Sequence, residues 1–104
     1  MITIFNKESL DNEIKKNSII VLDFYAVWCS PCVAFSPKFE EVAKQYSDKA
    51  VFGKINIDEC RDLAVKYRIS SIPTIIIIKD GAIVWQHIGS IDKKILSEKI
   101  EVLI

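Results

Sequence analysis

The sequence has no surplus of charge of either sign: fourteen Lys and Arg balance fourteen Asp and Glu. Without a net field to attract polyanions, neither nucleic acid nor an anionic membrane surface is an expected partner. No apolar run approaches the ~20 residues of a membrane span. Met1 to Glu13 carries neither a basic leader nor an apolar stretch of signal-peptide length, which points to the cytoplasm. Only three cysteines are present, too few for a disulfide framework. In a reducing compartment a structural disulfide is unusual, so a close cysteine pair reads first as a redox centre or as metal ligands. No repeat, linker or low-complexity segment divides the 104 residues, half of them hydrophobic. The chain is read as one domain, residues 1–104, around one core.

What is present follows an ordered pattern. Met1 to Phe5 alternates weakly, as an edge strand would, and Asn6 can cap a helix carrying Leu10 and Ile14, ended by Asn17 and Ser18. Ile19 to Val27 is almost continuously apolar, which suits a central strand covered on both faces, with Asp23 as the exception. From Cys32 the positions Phe35, Phe39, Val42, Ala43 and Tyr46 recur at helical spacing to about Ser47, with Pro37 expected to kink the helix. Val51 to Ile57 reads as a strand parallel to the previous one, because the helix between them makes a right-handed crossover. A short helix with Asp58 as its cap and Leu63, Ala64 and Tyr67 facing inward follows, then a loop over Arg68 to Ser71. Thr74 to Lys79 and Ala82 to Ile88 form a hairpin about Asp80-Gly81. A final helix presents Leu96, Ile100 and Leu103. The sum is a three-layer α/β/α domain with a mixed sheet.

The chemistry concentrates in Trp28-Cys29-Ser30-Pro31-Cys32. A cysteine at a helix amino terminus meets unpaired backbone N–H groups and the positive end of the helix dipole, which favour thiolate over thiol. Cys29 has that place, and Cys32 lies one turn deeper on the same face, so the pair reads as an outer attacker and an inner resolver. Nucleophilicity falls as thiolate is stabilised, so activation alone brings only about 3-fold. Holding the target disulfide beside Cys29 must supply more, which requires a docking surface. Two inert buried cysteines, or half of a zinc site, are the alternatives; zinc needs two further ligands, and only Cys60 and His87 remain, without a second close pair. Asp23, in a doubly covered strand, needs a raised pKa or a partner, and its position suggests a proton acceptor or, more plainly, a satisfied buried polar group.

Taken together, Val21-Leu22-Asp23-Phe24-Tyr25-Ala26, Trp28-Cys29-Ser30-Pro31-Cys32, Pro37, Lys54-Ile55-Asn56-Ile57-Asp58, Ile72-Pro73-Thr74, Asp80-Gly81 and Gly89 resemble the thioredoxin family over essentially the whole chain. The resemblance implies a mixed five-stranded sheet flanked by four helices and the reduction of protein disulfides. It implies that Cys29 and Cys32 form the redox-active disulfide, with Asp23 behind them assisting proton removal from Cys32 and Lys54 nearby. By the same resemblance Pro73 follows a cis peptide bond and faces the pair, leaving the preceding backbone free to bind an extended substrate. Ile72 and Pro73 are then substrate-binding residues, with Trp28, Ser71 and Gly89 completing an apolar rim. No bound cofactor or metal is implied. A thioredoxin reductase, either flavin-containing and drawing on NADPH or ferredoxin-linked, would restore the dithiol, and the protein would act as a monomer on disulfide-containing proteins.

Three positions depart from the family's common pattern: Ser30-Pro31 replaces Gly-Pro between the cysteines, Val33 stands where lysine is frequent, and Tyr25 where tryptophan is. The dipeptide bears on the redox potential, so Ser30 and Pro31 are tuning residues. Lys54 also reads as an ordinary strand-end lysine, Cys60 as a small semi-buried residue or a site of regulatory oxidation, and His87 and Trp85 as strand side chains. Two other functions stay open at this point, a disulfide oxidase or isomerase and a binding subunit that does not depend on redox turnover.

Overall fold

The computed structural model describes residues 2–16 and 18–104, and the expected roles of Met1 in the first strand and Asn17 in ending the first helix lie outside them. In chain order the elements are β1 (Ile2–Ile4), α1 (Lys7–Ile14), β2 (Ile20–Tyr25), α2 (Ser30–Tyr46), β3 (Val51–Asn56), α3 (Arg61–Lys66), β4 (Thr74–Lys79), β5 (Ala82–Ile88) and α4 (Lys93–Glu101). The strands make one sheet in the order β1-β3-β2-β4-β5. β1 and β2 each run parallel to β3, β4 is antiparallel to β2, and β5 is antiparallel to β4. This is the thioredoxin-like arrangement expected from the sequence, a mixed five-stranded sheet with four helices.

Strand parity divides the interior in two. A strand sends alternate side chains to opposite faces. Val21, Phe52, Ile75 and Ile77 meet Phe35, Phe39 and Val42 of α2 and Leu96 and Ile100 of α4. On the other face Ile20, Leu22, Phe24, Ile55, Ile76 and Ile78 meet Leu10 of α1 and Leu63 of α3. β2 feeds both layers, which is why its run of apolar residues is unbroken except at Asp23. Asp23 shares the parity of Val21 and therefore faces α2. On β3, Lys54 has the parity of Phe52, and the parallel register sets it directly against Asp23.

Local signals account for most boundaries. Asn6 accepts a hydrogen bond from the Ser9 amide at 2.9 Å, and the Ser9 hydroxyl answers the Asn6 amide at 2.9 Å, a closed capping box. Asp80 and Gly81 take φ of 54° and 79°, the pair of positive values that a two-residue hairpin turn requires. Gly53 has no room for a side chain, because a Cβ there would lie 2.2 Å from the Phe5 ring. That contact lets Phe5 close the core beside β1.

Several boundaries differ from expectation, among them the end of β2, which stops at Tyr25 rather than Val27. α2 begins at Ser30 rather than Cys32, because Cys29 itself is the N-cap and Pro31 occupies the first turn, where a missing N–H costs nothing. The helix then runs through Pro37 as a single element. Asp58 does not cap α3, whose N-cap is Cys60 without a side-chain hydrogen bond. Leu103 lies just past the end of α4, though still packed on the core. No helix among the described residues is long and apolar enough to cross a membrane.

Candidate active site

The carboxyl end of β2 delivers the chain to the start of α2, and both cysteines lie at that junction. Cys29 and Cys32 are buried at 6% and 2% exposure, and all three cysteines are free thiols. The Cys32 amide donates to the Cys29 sulfur at 3.3 Å, so this sulfur is also the helix cap. Negative charge gathering on that sulfur meets an N–H already aimed at it. On its other side the Cys29 thiol points at the Ile72 carbonyl, 3.8 Å away. With Ala26, the two cysteines form a small apolar cluster against Tyr25, Ile57 and Ile72.

Ile72-Pro73 is a cis peptide, as the resemblance implied. The loop that carries it is tied on both sides: the Thr74 hydroxyl donates to the Ser71 carbonyl at 2.5 Å, and the Gly89 amide donates to the Pro73 carbonyl at 2.7 Å. Gly89 holds φ at +94°, and nothing lies within 4 Å of where its Cβ would stand. It is a left-handed position that leaves open space. Val27, Trp28 and Val33 are exposed apolar residues flanking the pair, while Ser30 and Pro31 are exposed between the cysteines.

Trp28 is 68% exposed but not loose, because its indole N–H donates to the Asp58 carboxylate at 2.7 Å. Asp58 is itself placed by Asn56, whose side-chain oxygen accepts the amides of Asp58 and Glu59 at 2.9 and 3.3 Å. Sequence reasoning had assigned Asp58 to the α3 cap and given Asn56 no part in the site. The sign available was an Asn two residues before an Asp at the end of a strand, a turn-forming pair.

Behind the cysteines the environment changes. Asp23 is fully buried, and neither carboxyl oxygen has a hydrogen-bond partner among the described residues. Burial pushes its pKa up to about 7, against the pull of the Lys54 ammonium 3.9 Å away. The Cys32 thiol is pushed up to about 12, first by burial and then by its hydrogen bond with Cys29, with the Asp23 charge adding to the push. This buried setting thus resists carrying negative charge on both groups at once.

Lys54 lies between several neighbours. Its ammonium donates to the Ser36 hydroxyl at 2.8 Å and stands 4.5 Å from the centre of the Tyr25 ring. A groove of about 230 Å³ reaches this point from solvent, with Tyr25, Cys32, Val33, Ser36 and Lys54 among its walls. Ser36 was not read as a site residue, yet it stands one helical turn beyond Cys32, a spacing that puts both on one face.

The remaining candidates lie elsewhere. The partly buried Cys60 directs its thiol to the Phe5 carbonyl at 3.7 Å, and burial raises its pKa. His87 stacks on Trp85 and contacts the Ser90 carbonyl at 3.3 Å. Among the described residues no three Cys, His, Asp or Glu side chains converge to hold a metal ion.

Comparison with known proteins agrees with this geometry. The thioredoxin family model matches residues 1–102. The chain is 39% identical over 97 residues to a thioredoxin of Chlorobaculum thiosulfatiphilum, covering 93% of this chain and 86% of that one. It is 41% identical over 98 residues to a thioredoxin of Mycoplasmoides gallisepticum, covering 94% and 97%. Thioredoxin-T of Drosophila melanogaster is 41% identical over 86 residues, 81% of this chain but only 55% of that longer protein.

Proposed function

The chain belongs to the thioredoxin family and is a thiol-disulfide oxidoreductase that reduces protein disulfides; from that premise we propose that Cys29 is its nucleophile, Cys32 its resolving thiol and Asp23 the acceptor of the Cys32 proton. The observation that carries the assignment is the asymmetry of the two sulfurs. Cys29 caps the helix, receives the Cys32 amide and adjoins the exposed rim, whereas Cys32 lies deeper, its thiol pushed up to about 12 by burial and by its hydrogen bond with Cys29.

In this reading a target disulfide docks along Ile72 and Pro73 with Trp28, Ser71 and Gly89 around it. The Cys29 thiolate attacks one target sulfur, the target S–S bond breaks, and the other target sulfur leaves and takes a proton. Once Cys29 is covalently bound, its contribution to the high pKa of Cys32 is gone, and burial remains. The Cys32 proton passes to Asp23 as its sulfur attacks Cys29, and the bond from Cys29 to the target breaks to release the second target sulfur as a thiolate that takes a proton from solvent. Two electrons have moved to the target, and a Cys29–Cys32 disulfide is left. Asp23 then returns its proton to solvent, for which Lys54 and the groove beside it offer a path.

Family membership implies a reductase and disulfide-bearing protein substrates as partners. The finer proposal is a monomer in the reducing cytoplasm, recharged by a thioredoxin reductase that is NADPH- and flavin-linked or ferredoxin-linked. Ser30 and Pro31, exposed at the helix start, are the residues proposed to tune the potential. The test of the assignment is Cys32→Ser mixed with an oxidised protein substrate. A stable mixed disulfide should accumulate on Cys29, and mass spectrometry should locate it there. If Cys29→Ser instead accumulates the adduct on Cys32, the roles are reversed.

A further inference from the structure

Among the described residues Lys54 is the only cation that the register brings against Asp23, yet it does not touch it: 3.9 Å separates the ammonium from the nearer carboxyl oxygen. A contact ion pair closes to about 2.8 Å. What the ammonium does touch is the Ser36 hydroxyl, at 2.8 Å. The Tyr25 ring at 4.5 Å confines it further, and the lysine side chain is only 14% exposed. A carboxylate without any hydrogen bond in an apolar setting should draw such a cation in, so its stand-off needs a restraint.

We propose that Ser36 is a positioning residue for this pair: by accepting the Lys54 ammonium, its hydroxyl keeps the cation about one ångström short of contact with Asp23 and so preserves the basicity of the carboxylate. Were the cation to close on Asp23, the ionised carboxylate would be favoured and would accept protons less readily. Ser36 suits the task because it lies one turn past Cys32 on α2. The helix that places the proton donor therefore also places the group restraining the cation. The groups facing Asp23 are few. Lys54 comes from β3 and Cys32 from α2, while the β4 neighbour, Ile75, is apolar. The titration of the carboxylate is accordingly sensitive to the position of this one ammonium.

The inference rests on the reading of Asp23 as proton acceptor, but its test does not. In the reduced protein the Asp23 carboxyl carbon is followed by NMR as pH is varied, in the wild type and in Ser36→Ala. Alanine is the best helix former and fills less space, so the fold should be retained. Closing the pair by about one ångström should lower the Asp23 midpoint by roughly one pH unit, a 10-fold change in its acid constant. Ser36→Thr, which keeps a hydroxyl, should restore the midpoint. In a Lys54→Met background, Ser36→Ala should move nothing. An unchanged or raised midpoint in Ser36→Ala, or an equal drop without Lys54, would overturn the proposal. Failure of the acceptor role would appear separately, as unchanged decay of the mixed disulfide in Asp23→Asn.

Discussion

Cys29 and Cys32 are one helical turn apart, yet the regions in front of and behind them are built on opposite principles. In front, backbone and apolar surface do the work: the Ile72 carbonyl, the cis Pro73 loop tied to Gly89, and an exposed indole held by Asp58. Behind lie ionisable groups wholly or largely withdrawn from water, Asp23, Lys54 and the Cys32 thiol. The difference teaches how the two half-reactions are separated. Attack on a target needs an accessible sulfur and a surface that positions another chain. Resolution needs a proton removed from a thiol that burial has made a weak acid, the part proposed for Asp23.

The comparison is broken most completely at the shared sulfur. Cys29→Ser should cut protein-disulfide reduction by about 10³-fold or more, since a serine hydroxyl is not activated by a single helix end. Retention of turnover by this variant would mean that Cys29 is not the attacking sulfur.

A smaller effect should confine itself to the back. Asp23→Asn should leave formation of the mixed disulfide unchanged and slow its decay by about 100-fold, as expected for loss of a general base. The same change should alter stability with a definite sign. The folded-state pKa of Asp23 lies near 7, above the ordinary 3.8, so the folded protein holds this proton more tightly than the unfolded chain. Stability from that proton is complete below about pH 4 and is lost as pH rises through about 7. Asp23→Asn should therefore match the wild type in urea unfolding at pH 3 and exceed it by up to about 4 kcal/mol at pH 8. Equal gains at both pH values would contradict the account of a buried, ionisable Asp23.

The smallest effect should confine itself to the front. Asp58→Ala removes the acceptor of the Trp28 indole, a hydrogen bond worth about 1 kcal/mol at an exposed position. KM for a protein substrate should rise by roughly 5-fold with mixed-disulfide decay unchanged. A change in the decay instead would show that Asp58 acts on the resolving side.

Much of this arrangement was legible beforehand, and unevenly so. The double coverage of β2, the Asp80-Gly81 hairpin and the Asn6 cap are local, written in residues adjacent in the chain. Asp58 was misread for the same reason. An aspartate ahead of a short helix suits a cap locally, but Trp28, thirty residues earlier, claims its carboxylate. Ser36 offered no local sign beyond its spacing from Cys32, because a serine on a helix face is unremarkable until Lys54 reaches it from another strand. The cis bond at Pro73 entered by family resemblance rather than from the residues around it.

By itself, then, the sequence determined the redox pair, its place at a helix start and an acid, Asp23, inside a strand covered on both faces. The tertiary structure alone decided which partners those groups meet. Hydrophobic periodicity specifies the face of a strand and not its neighbour. Only the parallel register of β2 with β3 sets Lys54 beside Asp23, and only the packing of α2 over that register brings the Ser36 hydroxyl within hydrogen-bond reach of the Lys54 ammonium.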